Sequence, residues 1–114
     1  MNSILGISAF YHDSAACILK NGEIIAAAQE ERFTRKKHDA SYPFNAIEFV
    51  LKFASIKLND VDKIIFVSQW TQQRFFNDLD KKLIDKTDVI YPSIHKSKKI
   101  HKKNKNIVFV GKLN

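Results

Sequence analysis

The feature that most constrains the fold is the pair Asn21-Gly22, which lies between two short apolar runs. An Asn-Gly pair in this setting is the strongest short-range signal for a β-hairpin, because both residues tolerate the positive φ of a two-residue turn. The flanking runs, residues 14–19 and 24–29, are therefore predicted to be antiparallel strands. Another apolar run at residues 3–8 precedes them, and the spacing predicts a three-stranded antiparallel meander.

Helix and strand patterns follow the meander. Residues 33–42 are polar and basic and are predicted to form a loop. Pro43 suits the first turn of a helix, and the apolar spacing after it predicts an amphipathic helix as far as Ala54. The apolar pattern predicts a fourth strand at residues 63–68 and a second helix at residues 71–83.

The positive charge is concentrated in the second part of the chain. The 114 residues carry 19 Lys and Arg against 12 Asp and Glu, a net charge of +7. Residues 1–80 sum to −1, whereas residues 81–114 hold 10 Lys and only two Asp. A Lys-rich stretch can bind nucleic acid through phosphates, but no Phe, Tyr or Trp that could stack on a base lies between Lys96 and Lys105. A solvated segment is predicted, and a basic nucleic-acid-binding module is the non-enzymatic alternative.

Several classes of protein are excluded by the sequence. The single Cys17 cannot form an intramolecular disulfide, which argues against a disulfide-stapled secreted domain. No apolar run has the roughly 18 to 20 residues of a membrane-spanning helix, and no signal peptide is recognisable. We therefore expect a cytoplasmic location and no membrane partner. His95 and His101 are six residues apart among lysines, so no metal site is predicted from them.

The connection between the first two strands holds the first candidate site. His12 is a residue type that can accept or donate a proton near neutral pH, and Asp13 could orient its imidazole. The hydroxyls of Ser8 and Ser14, with backbone N–H groups of the turn, could face an anion such as phosphate. The alternative is that Asp13 and Ser14 only stabilise a β-turn.

A second candidate site follows the third strand. Four cations lie within six residues of one another: Arg32, Arg35, Lys36 and Lys37. Such a cluster could bind the anionic group of a phosphorylated substrate. A solvated surface loop is the alternative.

Two segments in this order resemble the start of the nodulation- and antibiotic-type carbamoyltransferases. They are ILGISAFYHDSAACIL at residues 4–19 and EERFTRKKHD at residues 30–39. The resemblance continues through the strand between them and covers residues 3–68 well. It implies an α/β fold, namely the first part of an actin, heat-shock-protein and sugar-kinase type (ribonuclease H-like) subdomain, with a β-meander followed by a helix and a strand.

The same resemblance implies an activity. Members of this family use carbamoyl phosphate and ATP to make carbamoyl-adenylate, and they transfer the carbamoyl group to a hydroxyl of a small-molecule acceptor. His12 matches the histidine of the family motif and is assigned the role of general base. Ser8, Asp13 and Ser14 would lie in the phosphate-facing turn. The four cations of residues 32–37 match the basic motif and are candidates for contact with substrate or carbamoyl phosphate.

The chain also departs from the family pattern. The His-rich motif that binds a divalent metal in full-length relatives is absent, as are the later glycine-rich phosphate loops. We therefore expect residues 1–90 to be a partial carbamoyltransferase N-terminal domain, an incomplete fold, followed by a divergent Lys-rich tail at residues 91–114 with one strand-like run at residues 107–110. The isolated chain is predicted to be inactive. A fragment similar to the transferase that carries a threonylcarbamoyl group to tRNA is the enzymatic alternative, and a subunit completed by a second chain is another.

Overall fold

The fold is organised by a five-stranded mixed sheet. The computed structural model describes residues 2–76 and 81–91. The strands are β1 (Ser3–Ser8), β2 (Ala15–Lys20), β3 (Glu23–Gln29), β4 (Lys63–Phe66) and β5 (Thr87–Val89), and the helices are α1 (Glu31–Thr34), α2 (Phe44–Phe53), α3 (Gln69–Phe76) and α4 (Lys81–Ile84), with a 3₁₀ turn at Leu58–Asp60. The order of strands across the sheet is β3-β2-β1-β4-β5.

The predicted meander is confirmed. β1 pairs antiparallel with β2, with Ser8 opposite Ala15, and β2 pairs antiparallel with β3. The hairpin turn between β2 and β3 has φ of 51° at Asn21 and 83° at Gly22, so both residues adopt the left-handed conformation that the turn requires.

The parallel half of the sheet determines where the loops meet. β4 pairs parallel with β1, and β5 pairs parallel with β4. The carboxyl ends of these three strands therefore lie at one edge of the sheet, beside the turn at residues 9–14. Ligands of open α/β sheets bind outside the carboxyl ends of parallel strands. A ligand-binding site is therefore expected at this edge.

Three predicted segments differ from the structure, and one strand is additional. The expected loop at residues 33–42 overlaps one helical turn, α1. The expected strand at residues 63–68 ends at Phe66, because the Ser68 hydroxyl accepts a hydrogen bond from the Thr71 amide and caps α3. The expected helix at residues 71–83 is described as α3 and α4, and β5 was not predicted. The strand-like run at residues 107–110 lies outside the described residues.

One face of the sheet and α2 form the hydrophobic core. Side chains alternate between buried and half-buried along β1 and β2, as expected when only one face of each strand is covered. Helix α2 packs across β2 and β3. The fully buried side chains of this core include Leu5, Ile18, Val50, Ile64 and Phe66.

The opposite face of the sheet carries a row of small side chains. Cys17 lies opposite both Gly6 and Ala27, and Gly6 also lies opposite Ile65. This row forms part of the floor of an open trough of about 760 Å³. A Cβ at Gly6 would lie 2.9 Å from the Cys17 Sγ, so a larger residue at this position would force the Cys17 side chain to shift.

A buried carboxylate joins the sheet to the core helix. The Glu30 side chain is 1% exposed. Its Oε1 accepts hydrogen bonds from the Asn45 amide at 3.1 Å and the Asn45 Nδ2 at 2.7 Å, and its Oε2 accepts from the Ala46 amide at 2.9 Å. These amides belong to the first turn of α2, which has no intrahelical acceptor for them, and a negative charge is favourable at that end of a helix.

We predict that Glu30→Ala lowers the free energy of unfolding by about 2 to 4 kcal/mol, because two helix amides lose a buried charged acceptor. Glu48→Gln, on the exposed side of the same helix, is the control and should change stability by less than about 0.5 kcal/mol. Urea denaturation measures both. Equal effects of the two substitutions would contradict the structural role of Glu30.

We also predict that Gly6→Ala costs about 1 to 3 kcal/mol, because the added methyl group overlaps the Cys17 sulfur. In a Cys17→Ala background the same substitution should cost about 1 kcal/mol less, since neighbouring sites are not additive. The comparison is a double-mutant cycle by urea denaturation. A cost that does not depend on residue 17 would show that another contact requires the glycine.

Candidate functional site

The two sequence motifs meet at the carboxyl edge of the sheet. The turn at residues 9–14 follows β1, and the loop at residues 35–42 follows α1. The Phe10 amide donates to the Ala40 carbonyl and the Ser14 amide to the Asp39 carbonyl, each at 2.8 Å. The loop at residues 35–42, called the second loop below, is thus hydrogen-bonded to both ends of the turn at residues 9–14.

An aspartate shared by two histidines lies at the centre of this contact. Asp13 Oδ2 is 2.8 Å from His12 Nδ1, and Asp13 Oδ1 is 2.7 Å from His38 Nδ1. An ionised carboxylate only accepts hydrogen bonds, so each Nδ1 must carry the proton, and the neutral ring then has its lone pair on Nε2. The arrangement therefore places two imidazoles in the same tautomer, with their ring centroids 6.4 Å apart.

The histidines also perturb the carboxyl group that they share. Hydrogen bonds from His38 and then from His12 hold the pKa of the Asp13 carboxyl below its ordinary value of 3.8. Asp13 is therefore ionised at neutral pH, as its role as a double acceptor requires.

The backbone at this contact is strained. Phe10, Asp13, Arg35 and His38 have φ between 55° and 66°, a region that residues with a Cβ rarely occupy. Such strain persists only where surrounding structure holds it, and it is common at functional sites.

The base of the second loop is held by Asp39. Its side chain is buried and accepts hydrogen bonds from the Thr34 hydroxyl at 2.7 Å and the Ser41 amide at 2.9 Å. Bonds from Ser41, followed by that from Thr34, lower the pKa of the Asp39 carboxyl to about 2. The loop is thus anchored by an ionised side chain directly next to His38.

The other predicted site residues lie in different surroundings. Ser8 and Arg32 line the trough on the open face of the sheet. Arg35, Lys36 and Lys37 are exposed on the second loop. Ser14 is fully buried, and its hydroxyl has no hydrogen-bond partner within the described part of the chain. The structure therefore brings His12 and Asp13 together, whereas Arg32 lies in the trough and the other three cations lie on the second loop.

An aromatic cluster that the sequence analysis did not identify as part of the site lies next to the turn. The Phe10 ring contacts Tyr42 at 6.2 Å and Trp70 at 5.8 Å between centroids. The Arg74 guanidinium lies 4.7 Å from the Phe10 centroid and 5.1 Å from that of Trp70, a cation–π geometry. Burial raises the pKa of the Tyr42 hydroxyl. These rings come from three separate segments, so only the fold could assemble them.

His38 was also missed as a site residue. It was quoted within the motif at residues 30–39, but no role was assigned to it. Its proximity to Asp13, 25 residues earlier, depends on how the loop packs on the turn. The available signal was a histidine at the end of a motif that also contains the basic cluster.

Within residues 2–76 and 81–91, no three His, Cys, Asp or Glu side chains are grouped so that they could hold a metal ion. No helix among those residues has the length and apolar character needed to cross a membrane.

Comparison with protein families gives a match over most of the chain. A family described as the carbamoyltransferase N-terminus matches residues 3–107. An uncharacterised protein of Synechocystis sp. is 62% identical over 66 residues, which are 58% of this chain and 11% of that protein. The nodulation protein NolNO of Sinorhizobium fredii is 34% identical over 83 residues, which are 73% of this chain and 12% of NolNO. The chain thus spans about a tenth of the length of these two relatives.

Comparison with solved structures shows the fold. Component A of (R)-2-hydroxyglutaryl-CoA dehydratase from Acidaminococcus fermentans superimposes with a TM-score of 0.53 at 24% identity, over 78% of this chain and 31% of that one. YeaZ from Pseudomonas aeruginosa gives a TM-score of 0.53 at 12% identity, over 80% of this chain and 44% of YeaZ. The predicted actin, heat-shock-protein and sugar-kinase type of α/β fold is confirmed.

We predict that Asp39 makes the fold sensitive to acid. Because its pKa is lowered from 3.8 to about 2 on folding, its contribution to stability is complete above about pH 4 and is lost as the pH falls towards 2. Asp39→Asn should flatten the pH dependence of unfolding in this range. Ser41→Ala should raise the pKa of Asp39, which can be measured by NMR titration of the carboxyl group. An Asp39 that titrates at its ordinary value in the native chain would contradict this prediction.

Proposed function

The chain belongs to the carbamoyltransferase N-terminal family, and on this premise we propose that it forms part of an enzyme that transfers a carbamoyl group from carbamoyl-adenylate to a hydroxyl of a small-molecule acceptor. The observation that carries the proposal is the hydrogen bond of 2.8 Å between His12 and Asp13 at the carboxyl end of β1. It gives a histidine the fixed tautomer that a general base needs.

The proposed step uses His12 as the base. Nε2 accepts the proton of the acceptor hydroxyl while the hydroxyl oxygen forms a bond to the carbamoyl carbon. The bond from that carbon to the phosphate oxygen of the adenylate then breaks, and AMP leaves with the electron pair. Asp13 stabilises the imidazolium through the Nδ1–H that it already accepts, as the aspartate does in a Ser-His-Asp triad.

The cations near this edge are proposed to bind the anionic groups of the substrates. Arg35, Lys36 and Lys37 are exposed on the loop beside His38, and Arg32 lines the trough together with Ser8. Carbamoyl phosphate and the phosphates of ATP are anions that guanidinium and ammonium groups bind through charge-assisted hydrogen bonds. We assign Ser14 to holding the turn, because its hydroxyl is buried and its amide donates to Asp39.

We assign none of the described residues to a divalent metal, because that part of the chain does not bring three suitable ligands together. The family resemblance implies that full-length relatives carry their metal motif further along the chain. The acceptor site, the rest of the nucleotide site and the metal site are proposed to come from other parts of the transferase. The isolated chain is accordingly expected to give no turnover with ATP and carbamoyl phosphate.

The function is best tested in a hybrid. The segment of the Synechocystis relative that matches this chain, at 62% identity, is replaced by the corresponding residues of this chain. We expect carbamoyl-phosphate-dependent release of pyrophosphate from ATP at a rate close to that of the unexchanged relative. His12→Gln should leave this release unchanged but lower carbamoyl transfer to a panel of sugars and polyols by about 100-fold or more.

Lys57→Ala, an exposed position before the 3₁₀ turn, is the control and should not affect either reaction. If the unexchanged relative and the hybrid both fail to release pyrophosphate, carbamoyl-adenylate is not the intermediate. Transfer that survives in His12→Gln would instead remove the general-base role of His12.

A further inference from the structure

We propose that His38 is a positioning residue that fixes the tautomer of His12 through their shared aspartate. The inference rests on the proposed function, because it concerns how the base of that reaction is prepared. It follows from one geometric fact: both oxygens of Asp13 are engaged by the Nδ1 atoms of His12 and His38, at 2.8 and 2.7 Å.

The bond from His38 adds a restraint on the Asp13 carboxylate that the bond to His12 does not supply. Asp13 follows His12 directly in a strained turn, and its side chain is 25% exposed, so water competes for its oxygens. The bond from His38 to Oδ1 restrains rotation of the carboxylate plane, which keeps Oδ2 directed at His12. Outer partners of this kind orient a histidine and fix which ring nitrogen carries the proton.

The loop that carries His38 is itself held in place. The His38 amide donates to Glu31 Oε2 at 3.3 Å, and the next residue, Asp39, is anchored by Thr34 and Ser41. His38 adopts φ of 55°, a conformation that requires such support. The loop backbone at His38 is thus held by contacts other than the one to Asp13, so the His38 imidazole can restrain the Asp13 carboxylate.

Position and exposure distinguish the two rings. His12 lies in the turn that follows β1 and is 30% exposed, whereas His38 lies on the second loop and is 56% exposed. The titratable groups in contact with Asp13 include His12 from its own turn and His38 from the second loop, and Glu31 accepts a hydrogen bond from the backbone of His38. This asymmetry assigns proton transfer to His12 and orientation to His38.

The test is the tautomer of His12 in the 114-residue chain, read from its ring ¹⁵N shifts in mildly alkaline buffer. We expect mainly the Nδ1–H form, whereas free histidine prefers Nε2–H. His38→Ala should lower the Nδ1–H fraction of His12 about twofold or more. His38→Asn, whose amide can still donate to Asp13, should restore it. Asp13→Ala calibrates complete loss, and Lys57→Ala should have no effect.

Backbone amide spectra show whether each variant keeps the fold. If His38→Ala is folded and leaves the tautomer unchanged while Asp13→Ala alters it, the proposal is wrong. If His38→Ala fails to fold, the tautomer of His12 in His38→Asn decides the question. A His12 that keeps its native tautomer in this variant supports the proposal, whereas a His12 with the tautomer found in Asp13→Ala overturns it. No substrate is involved, so this result is independent of the transfer assay on the hybrid. In that hybrid His38→Ala should lower kcat more than it changes KM, with rescue by His38→Asn.

Discussion

The arrangement of the candidate site depends on the buried carboxylate of Glu30. It follows β3 directly and accepts hydrogen bonds from Asn45 and Ala46 in the first turn of α2. Its own amide donates to the Ser14 carbonyl. One residue therefore joins the edge strand, the core helix and the turn that carries the catalytic candidates. The loop at residues 35–42 lies between Glu30 and α2, which are bonded to each other. Its residues Asp39 and Ala40 are hydrogen-bonded to the turn at residues 9–14.

The two loops form one unit because each satisfies polar groups of the other. The carbonyls of Asp39 and Ala40 accept hydrogen bonds from the turn, and Asp13 accepts from the imidazole of His38. A buried or half-buried polar group without such a partner is costly, so the loops stabilise each other's strained backbones. The candidate base and the residue proposed to position it are consequently parts of a single hydrogen-bonded network, although they are 26 residues apart in the chain.

Some elements could be predicted because their signal is local. The Asn21-Gly22 turn has its preferred conformation in two adjacent residues, and the apolar spacing of α2 repeats over three turns. By contrast, β5 has three residues with a weak pattern, and its identity as a strand comes from pairing with β4. Likewise, α1 is a single turn within a polar segment, and the exposed side chains of that segment gave no apolar periodicity to detect.

The sequence by itself determined the meander, the core helix, the family and the adjacent His12 and Asp13, because each depends on neighbouring residues or on ordered motifs. Only the tertiary structure decided that His38 takes the second oxygen of Asp13 and that Ser14 is buried. These outcomes depend on the packing of one loop on another. Contacts of this kind, over 25 residues, are selected by the hydrogen bonds and burial of the folded state, and no local pattern encodes them.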